Sequence, residues 1–309
     1  MKVGNTMKNQ PRGIWLAIIG TTLWGVGGTV AQVLFDNYNV NASWLVGARM
    51  MIAGILLIIV DAKREGTHVF DIWRTKHNAI MLFLFSIFGM MGIQATYFFA
   101  IQAGNSATAT VLQFINPTLI IIALAIYHRV WPSRLDMLSV IMATLGTFLV
   151  VTSGQLHTLS VPPMAVFWGL LSAVGAAVYT IMPVNLIKEF GAVSVVGWSM
   201  LIGSILFSFY HPIWRSVPAP DPMAWLMIAF VIVGGTMMGY LLFLASLSYI
   251  TPTTASVIDA CEPLSATILG VLFLSVHLSV ASLIGTGLII STVFVQAISA
   301  NKENKGLSE

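Results

Sequence analysis

Thr254-Ala255-Ser256-Val257-Ile258-Asp259-Ala260-Cys261-Glu262-Pro263 sets two carboxylates and a proline inside an otherwise apolar run from Thr253 to Leu274. About 20 helical residues, each rising roughly 1.5 Å, suffice to cross a bilayer. The run therefore reads as a membrane span, with Asp259 and Glu262 inside the membrane. An earlier stretch echoes it: Thr108-Ala109-Thr110-Val111-Leu112-Gln113-Phe114-Ile115-Asn116-Pro117. Aligned on their prolines, the two share Thr, Ala, Val and Pro at the same positions, and Asp259/Glu262 fall on Gln113/Asn116. Two copies of one element are implied.

Pro117 and Pro263 break helices in a defined way. Neither can donate to the carbonyl four residues back, so the carbonyls of Gln113 and Asp259 are released. Residues three apart share a helix face, and the polar side chains are expected to point the same way as the freed backbone. A kinked packing helix with mutually satisfied polar groups is the alternative, and it stays open for Gln113 and Asn116. For the acids a functional role is the default. A charge at mid-membrane costs roughly 2.5 to 3.5 kcal/mol on insertion scales, and like charges at this spacing repel. Asp259 and Glu262 are therefore expected to share one proton.

Composition agrees with a membrane reading: 57% of the 309 residues are hydrophobic and 8% charged, with mean hydropathy +0.90. Such a chain is an integral membrane protein. The net charge of +3 lies in short loops and tails and forms no patch for nucleic acid. No soluble stretch is long enough for a catalytic domain and no phosphate-binding loop occurs, which excludes an ATP-driven pump for this chain alone. All six histidines sit in loops or at span ends. No metal site and no cofactor is expected, and the single Cys261 reads as a small buried hydrophobe.

A polar tail, 1–12, precedes the apolar run Gly13 to Phe35. That run is too long for the usual signal-peptide core and lacks a convincing cleavage site, so it is kept as span one; Met1 and Met7 both remain candidate starts. The further spans are Ala42 to Val60, Ala79 to Ile101, a proline-bearing span after the Gly104-Asn105 turn to about Tyr127, and Leu135 to Thr152. A turn-rich linker, 153–163, follows. Spans six to ten read as Met164 to Ile187, Ser194 to Tyr210, Met223 to Ser246, Thr253 to Leu274 and Ser279 to Ser299, with a tail at 300–309. The reading is an all-α integral membrane protein of ten transmembrane helices as two five-helix repeats, 13–152 and 164–299. An odd number of spans per repeat makes the repeats inverted.

Loop charge tests the count. Lys2, Lys8, Arg12, Lys63, Arg64, Arg74, Lys76, Arg129, Arg134, Lys188, Lys302 and Lys305 fall on one side, and Arg215 alone on the other. By the positive-inside rule both termini are expected in the cytoplasm, with the protein in the cell membrane. Arg49 is the one basic residue within a span; it either snorkels to the interface or faces the interior to meet an acid or an anionic substrate group. Trp24, Tyr97, Tyr179, Trp198 and Tyr240 lie well within spans and are expected to contribute rings to a cavity wall. Trp15, Trp131, Trp214 and Trp225 suit interfacial anchoring instead.

Trp24-Gly25 in span one, Arg49 in span two, Ala109 to Pro117, and Ala255 to Glu262-Pro263, in this order and spacing, resemble the drug/metabolite transporter superfamily, specifically its EamA-type members. The resemblance covers about Gly13 to Ser299. It implies transport of small organic solutes, often amino acids or related metabolites and often outward, through a central cavity between the halves. The chain departs from the family at one feature, a Gly-Glu pair about thirteen residues after each proline, where it has His128-Arg129-Val130 and Ser275-Val276-His277.

A secondary transporter is the expected function, with Glu262, Asp259, Arg49, Gln113 and Asn116 binding or coupling and no catalytic residues. A channel or uncoupled facilitator, and a membrane enzyme using Asp259/Glu262, are the alternatives. The expected partners are a small solute, the lipid bilayer and, as a coupling ion, protons. The substrate, direction and oligomeric state are left open.

Overall fold

Hydrocarbon offers no hydrogen bonds, so each apolar run must pair its own N–H and C=O groups, and a helix does this within one segment. The computed structural model describes residues 10–129, 131–155, 160–219, 221–250 and 252–306. Lys2, Lys8, both candidate starts and His157 of the linker lie outside the described residues. Among the described residues the chain is all-helical, with ten helices long and apolar enough to cross a membrane.

Spans one and two are α1 (Gln10–Tyr38) and α2 (Ala42–Glu65). Span three joins α3 (Lys76–Leu84), a π-helical stretch Phe85–Met91 and α4 (Gly92–Ala103). Span four is α5 (Ser106–Gln113) and α6 (Asn116–His128), and span five is α7 (Arg134–Thr152). Span six is α8 (Pro163–Ile181), followed after Met182-Pro183 by the short α9 (Val184–Phe190). Span seven is α10 (Ala192–Tyr210). Span eight joins α11 (Pro222–Ala229), a second π-helical stretch Phe230–Met238 and α12 (Gly239–Ser246). Span nine is α13 (Pro252–Asp259) and α14 (Cys261–Leu274), and span ten is α15 (Val280–Gly306).

Starts are capped where the sequence supplies a short polar side chain. Asn41, Thr75 and Asn105 accept from the backbone N–H three residues on, and Ser133 with Asp136 forms a capping box. Two expected boundaries change. Span six, read as continuous to Ile187, breaks at Pro183. The connection between spans two and three, 61–78, is not an irregular loop: α2 runs on to Glu65, and a 3₁₀ helix, Gly66–Trp73, buries Val69 and Ile72 while most of its other residues stay exposed. The reason is the apolar residues interleaved with its charges, which drive it back onto the helix ends.

Packing follows small residues. α7 lies along α15, and a Cβ on Gly146 would stand 2.7 Å from the Gly285 carbonyl. α1 packs on α12, on the π-helical stretch Phe230–Met238 and on α14; a Cβ on Gly25 would collide with Ser265 Oγ and the Glu262 carbonyl. Close backbone approach of this kind is what associates helices in lipid, where burial of apolar surface gives little drive.

Candidate functional site

Both proline-bearing spans are interrupted, one after Gln113 and the other after Asp259. Phe114 and Ile115 form a turn before α6, and Ala260 separates α13 from α14. Each break falls where the proline cannot donate to the carbonyl four residues back, so each first half-helix ends on a polar side chain, Gln113 or Asp259. The far halves, α5 and α14, pack against each other, while α6 lies on α7 and α8, and α13 on α1 and α15. Between the separated halves lies a cavity of about 610 Å³.

Its wall gathers most of the residues expected. Glu262, Asp259, Arg49, Gln113, Asn116, Pro117, Trp24, Tyr97, Tyr179 and Tyr240 all line it, and Pro263 is buried beside Glu262. Arg49 is 6% exposed and Glu262 7%, so Arg49 faces the interior and does not snorkel. Its guanidinium carbon stands 3.7 Å from the centre of the Phe98 ring. Among the described residues Arg49 forms no ion pair with a carboxylate. Gln113 accepts from Ser172 Oγ.

The aromatic wall is braced. The Trp24 ring contacts Tyr240 and Phe243 at 5.0 and 5.1 Å, Tyr97 shares a hydrogen bond with Thr110 Oγ1 at 2.8 Å, and Gln94 donates to the Tyr240 hydroxyl at 3.3 Å. Trp198 stands apart from this wall. Its indole N–H donates to the Val69 carbonyl at 2.8 Å, and its ring is edged by Phe70 and Trp73. Trp198 is drawn away because the face of α10 that carries it meets the folded 3₁₀ segment.

Four buried polar atoms without a hydrogen-bond partner belong to cavity residues: Trp24 Nε1, Arg49 Nε, Asp259 Oδ1 and Gln296 Nε2. Buried polar groups are ordinarily satisfied; these four are enclosed within the wall, Trp24 Nε1 against Gly239, so the wall carries unsatisfied polarity beside the charged and amide side chains that line it. Gln296, Gln94, Thr180 and Thr236, all in the wall, were not among the expected site residues. A lone amide within an apolar span was the available signal for Gln94 and Gln296.

The direction of each span shows where the cavity leads. It includes Val184, Ile187, Leu244, Leu247, Ala255 and Gln296, which lie near the span ends on the side of residues 10 and 306. The cavity thus runs from the breaks towards the side that holds both described chain ends.

Comparison with known proteins agrees with this architecture. The EamA-like transporter family model matches residues 11–152 and 163–297. The chain belongs to the EamA-like transporter family. It is 33% identical over 297 residues to the uncharacterized inner membrane transporter YicL of Salmonella typhimurium, covering 96% of this chain and 98% of that protein. Similarity to the uncharacterized transporter YyaM of Bacillus subtilis is lower, 22% over 212 residues and 65% of each chain. A crystal structure 17% identical in sequence superimposes with a TM-score of 0.63 over 96% of this chain and 98% of that one, a likeness of fold. As a member of the EamA-like family the protein is a multi-pass membrane transporter.

Proposed function

We propose that the protein is a secondary carrier that moves a small organic solute, an amino acid or related metabolite, out of the cell by alternating access. The observation that carries this reading is one cavity of about 610 Å³ at two helix breaks, lined by Arg49, Asp259, Glu262, Gln113 and Asn116 from both halves of the chain. Carriers place binding groups at such breaks near the membrane midplane. Arg49 takes an anionic group of the solute, the carboxylates take an ammonium group or a proton, and the rings of Trp24, Tyr97, Tyr179 and Tyr240 enclose its apolar part.

The halves 13–152 and 164–299, joined by 153–163, act as inverted repeats with both termini in the cytoplasm. Paired features support the repeat: the breaks at Gln113 and Asp259, and the π-helical stretches that end in Met90-Met91-Gly92 and Met237-Met238-Gly239. In the described arrangement α5 meets α14 and the cavity leads to the cytoplasm. The opposite state exchanges the roles of the halves, closing α6 on α13 and separating α5 from α14. Glu262 and Asp259 exchange a proton between the two states.

A screen of cells overexpressing the protein against toxic amino acids and analogues tests the substrate class. Resistance with lowered cell content of one analogue is the expected result. Saturable counterflow of that compound in proteoliposomes identifies a carrier, whereas ohmic current identifies a channel and overturns the proposal.

A further inference from the structure

Span six is broken where its counterpart in the first half is not. Span one, its counterpart, is a single helix, Gln10–Tyr38, while span six ends at Ile181 and restarts as α9 after Pro183. The two pieces have different neighbours. α8 packs on α4, α5, α6 and the stretch Phe85–Met91, whereas α9 packs on α3, α10 and the 3₁₀ segment Gly66–Trp73.

α9 is fixed to that segment's side of the molecule. Leu186 is buried in the core shared with Ile72 and Val195, and Asn78 donates to Glu189 at 3.4 Å. A charged cleft of about 770 Å³, lined by Asp61, Arg64, Asp71, Arg74 and Glu189 among others, lies between α9 and the segment. The opposite side of α9 carries Val184 and Ile187 into the wall of the central cavity, at the same end as Leu244 and Leu247 of span eight. Its far end is Gly191, whose φ of +79° suits glycine and whose Cβ position is open.

We propose that Pro183 is a joint and α9 the fixed lip of the cytoplasmic mouth: α8 tilts with span four against a stationary α9, and Leu244 and Leu247 close onto Val184 and Ile187. Pro183 cannot donate to the Tyr179 carbonyl, so α8 and α9 are not welded through that bond. Tyr179 itself lines the cavity and packs on Phe85 at 5.7 Å between ring centres, which sets the joint at the level of the π-helical stretch in span three. Helices interrupted at such places are where transporter elements swing.

The word mouth rests on the carrier reading, and thiol accessibility tests the joint without any substrate. In a Cys261→Ser background, Thr180→Cys reports on the cavity wall, and an impermeant methanethiosulfonate reagent is applied to inverted and right-side-out vesicles. The reporter is expected to react from the cytoplasmic face and, more slowly, from the outer face. Val184→Trp, with Ile187→Trp as a second variant, is expected to slow cytoplasmic labelling at least ten-fold. Pro183→Ala restores the missing N–H and is expected to lower outer-face labelling at least five-fold while cytoplasmic labelling persists. A Thr67→Cys control in each variant is expected to label at the parent rate, which separates closure from misfolding. Unchanged reporter rates in the tryptophan variants and in Pro183→Ala, or a parent reporter never reached from the outer face, would overturn the joint. Altered labelling in a protein that carries no solute would leave the joint standing and remove the carrier reading alone.

Discussion

Trp198 gives up its N–H to the Val69 carbonyl and its ring edges to Phe70 and Trp73. Replacement by Leu removes one hydrogen bond and two ring pairs, about 2 to 3 kcal/mol together. Trp198→Leu is therefore expected to lower the thermal midpoint of the purified protein. Trp24→Leu removes an N–H that has no partner, so it is expected to keep near-parental folded yield and weaken solute affinity several-fold; flux kinetics and thermal melts of both variants check the contrast. The two tryptophans look alike in sequence, both ringed by apolar residues in mid-span. What separates them is the helix face and the neighbour it meets, which residue type does not encode. Asp259, Glu262 and Arg49 were legible because charge within an apolar run is costly whatever the face.

At the scale of elements, the prolines announced the breaks and the structure places them at Gln113 and Asp259. The π-helical stretches were not legible, because a widened turn keeps the same hydropathy. Their means are visible afterwards. Gly89 and Gly234 leave room for the rings of Phe85 and Phe230, and Thr236 donates to the carbonyl of Val231, five residues back, at 2.8 Å. A Cβ on Gly89 would stand 2.6 Å from the Phe85 ring and 3.4 Å from Tyr179 Cα. Gly89→Ala is expected to cost roughly 1 to 3 kcal/mol by overpacking, read as a lower thermal midpoint in detergent.

The departure from the family's Gly-Glu pairs also gains a physical content at this scale. Arg129 and Ser275, each twelve residues after its proline, cap α6 and α14 with φ of +54° and +52°. Glycine adopts this left-handed region without the penalty of about 1 kcal/mol or more that other residues bear. Ser275→Gly is expected to raise the thermal midpoint, a gain of about 0.5 to 1 kcal/mol after the added freedom of the unfolded chain is counted. No gain would place the strain elsewhere.

For the whole molecule, the ten-span order was written in hydropathy and in the loop charges, since each span is long enough to be read alone. The orientation rests on those charges and is open to direct measurement. In a Cys261→Ser background, Ser160→Cys is expected to react with an impermeant reagent on intact cells, and Thr67→Cys to react after the cells are opened. Equal reaction on intact cells would contradict the inverted arrangement. The cavity itself was only partly legible, because its shape depends on how α5, α6, α13 and α14 diverge at their breaks, and no local pattern gives that angle.

The central claim is that the carboxylates at the second break couple solute movement to protons. Glu262→Gln keeps the side chain's size and removes its exchangeable charge, in a residue that is 7% exposed on the cavity wall. Parent and variant are to be reconstituted in parallel and supplied with a solute identified by the resistance screen, and accumulation driven by an imposed pH gradient is measured beside solute counterflow. Coupling predicts that the variant retains counterflow within about two-fold and loses gradient-driven accumulation. Accumulation equal to the parent's, with an unchanged pH profile, would contradict the account.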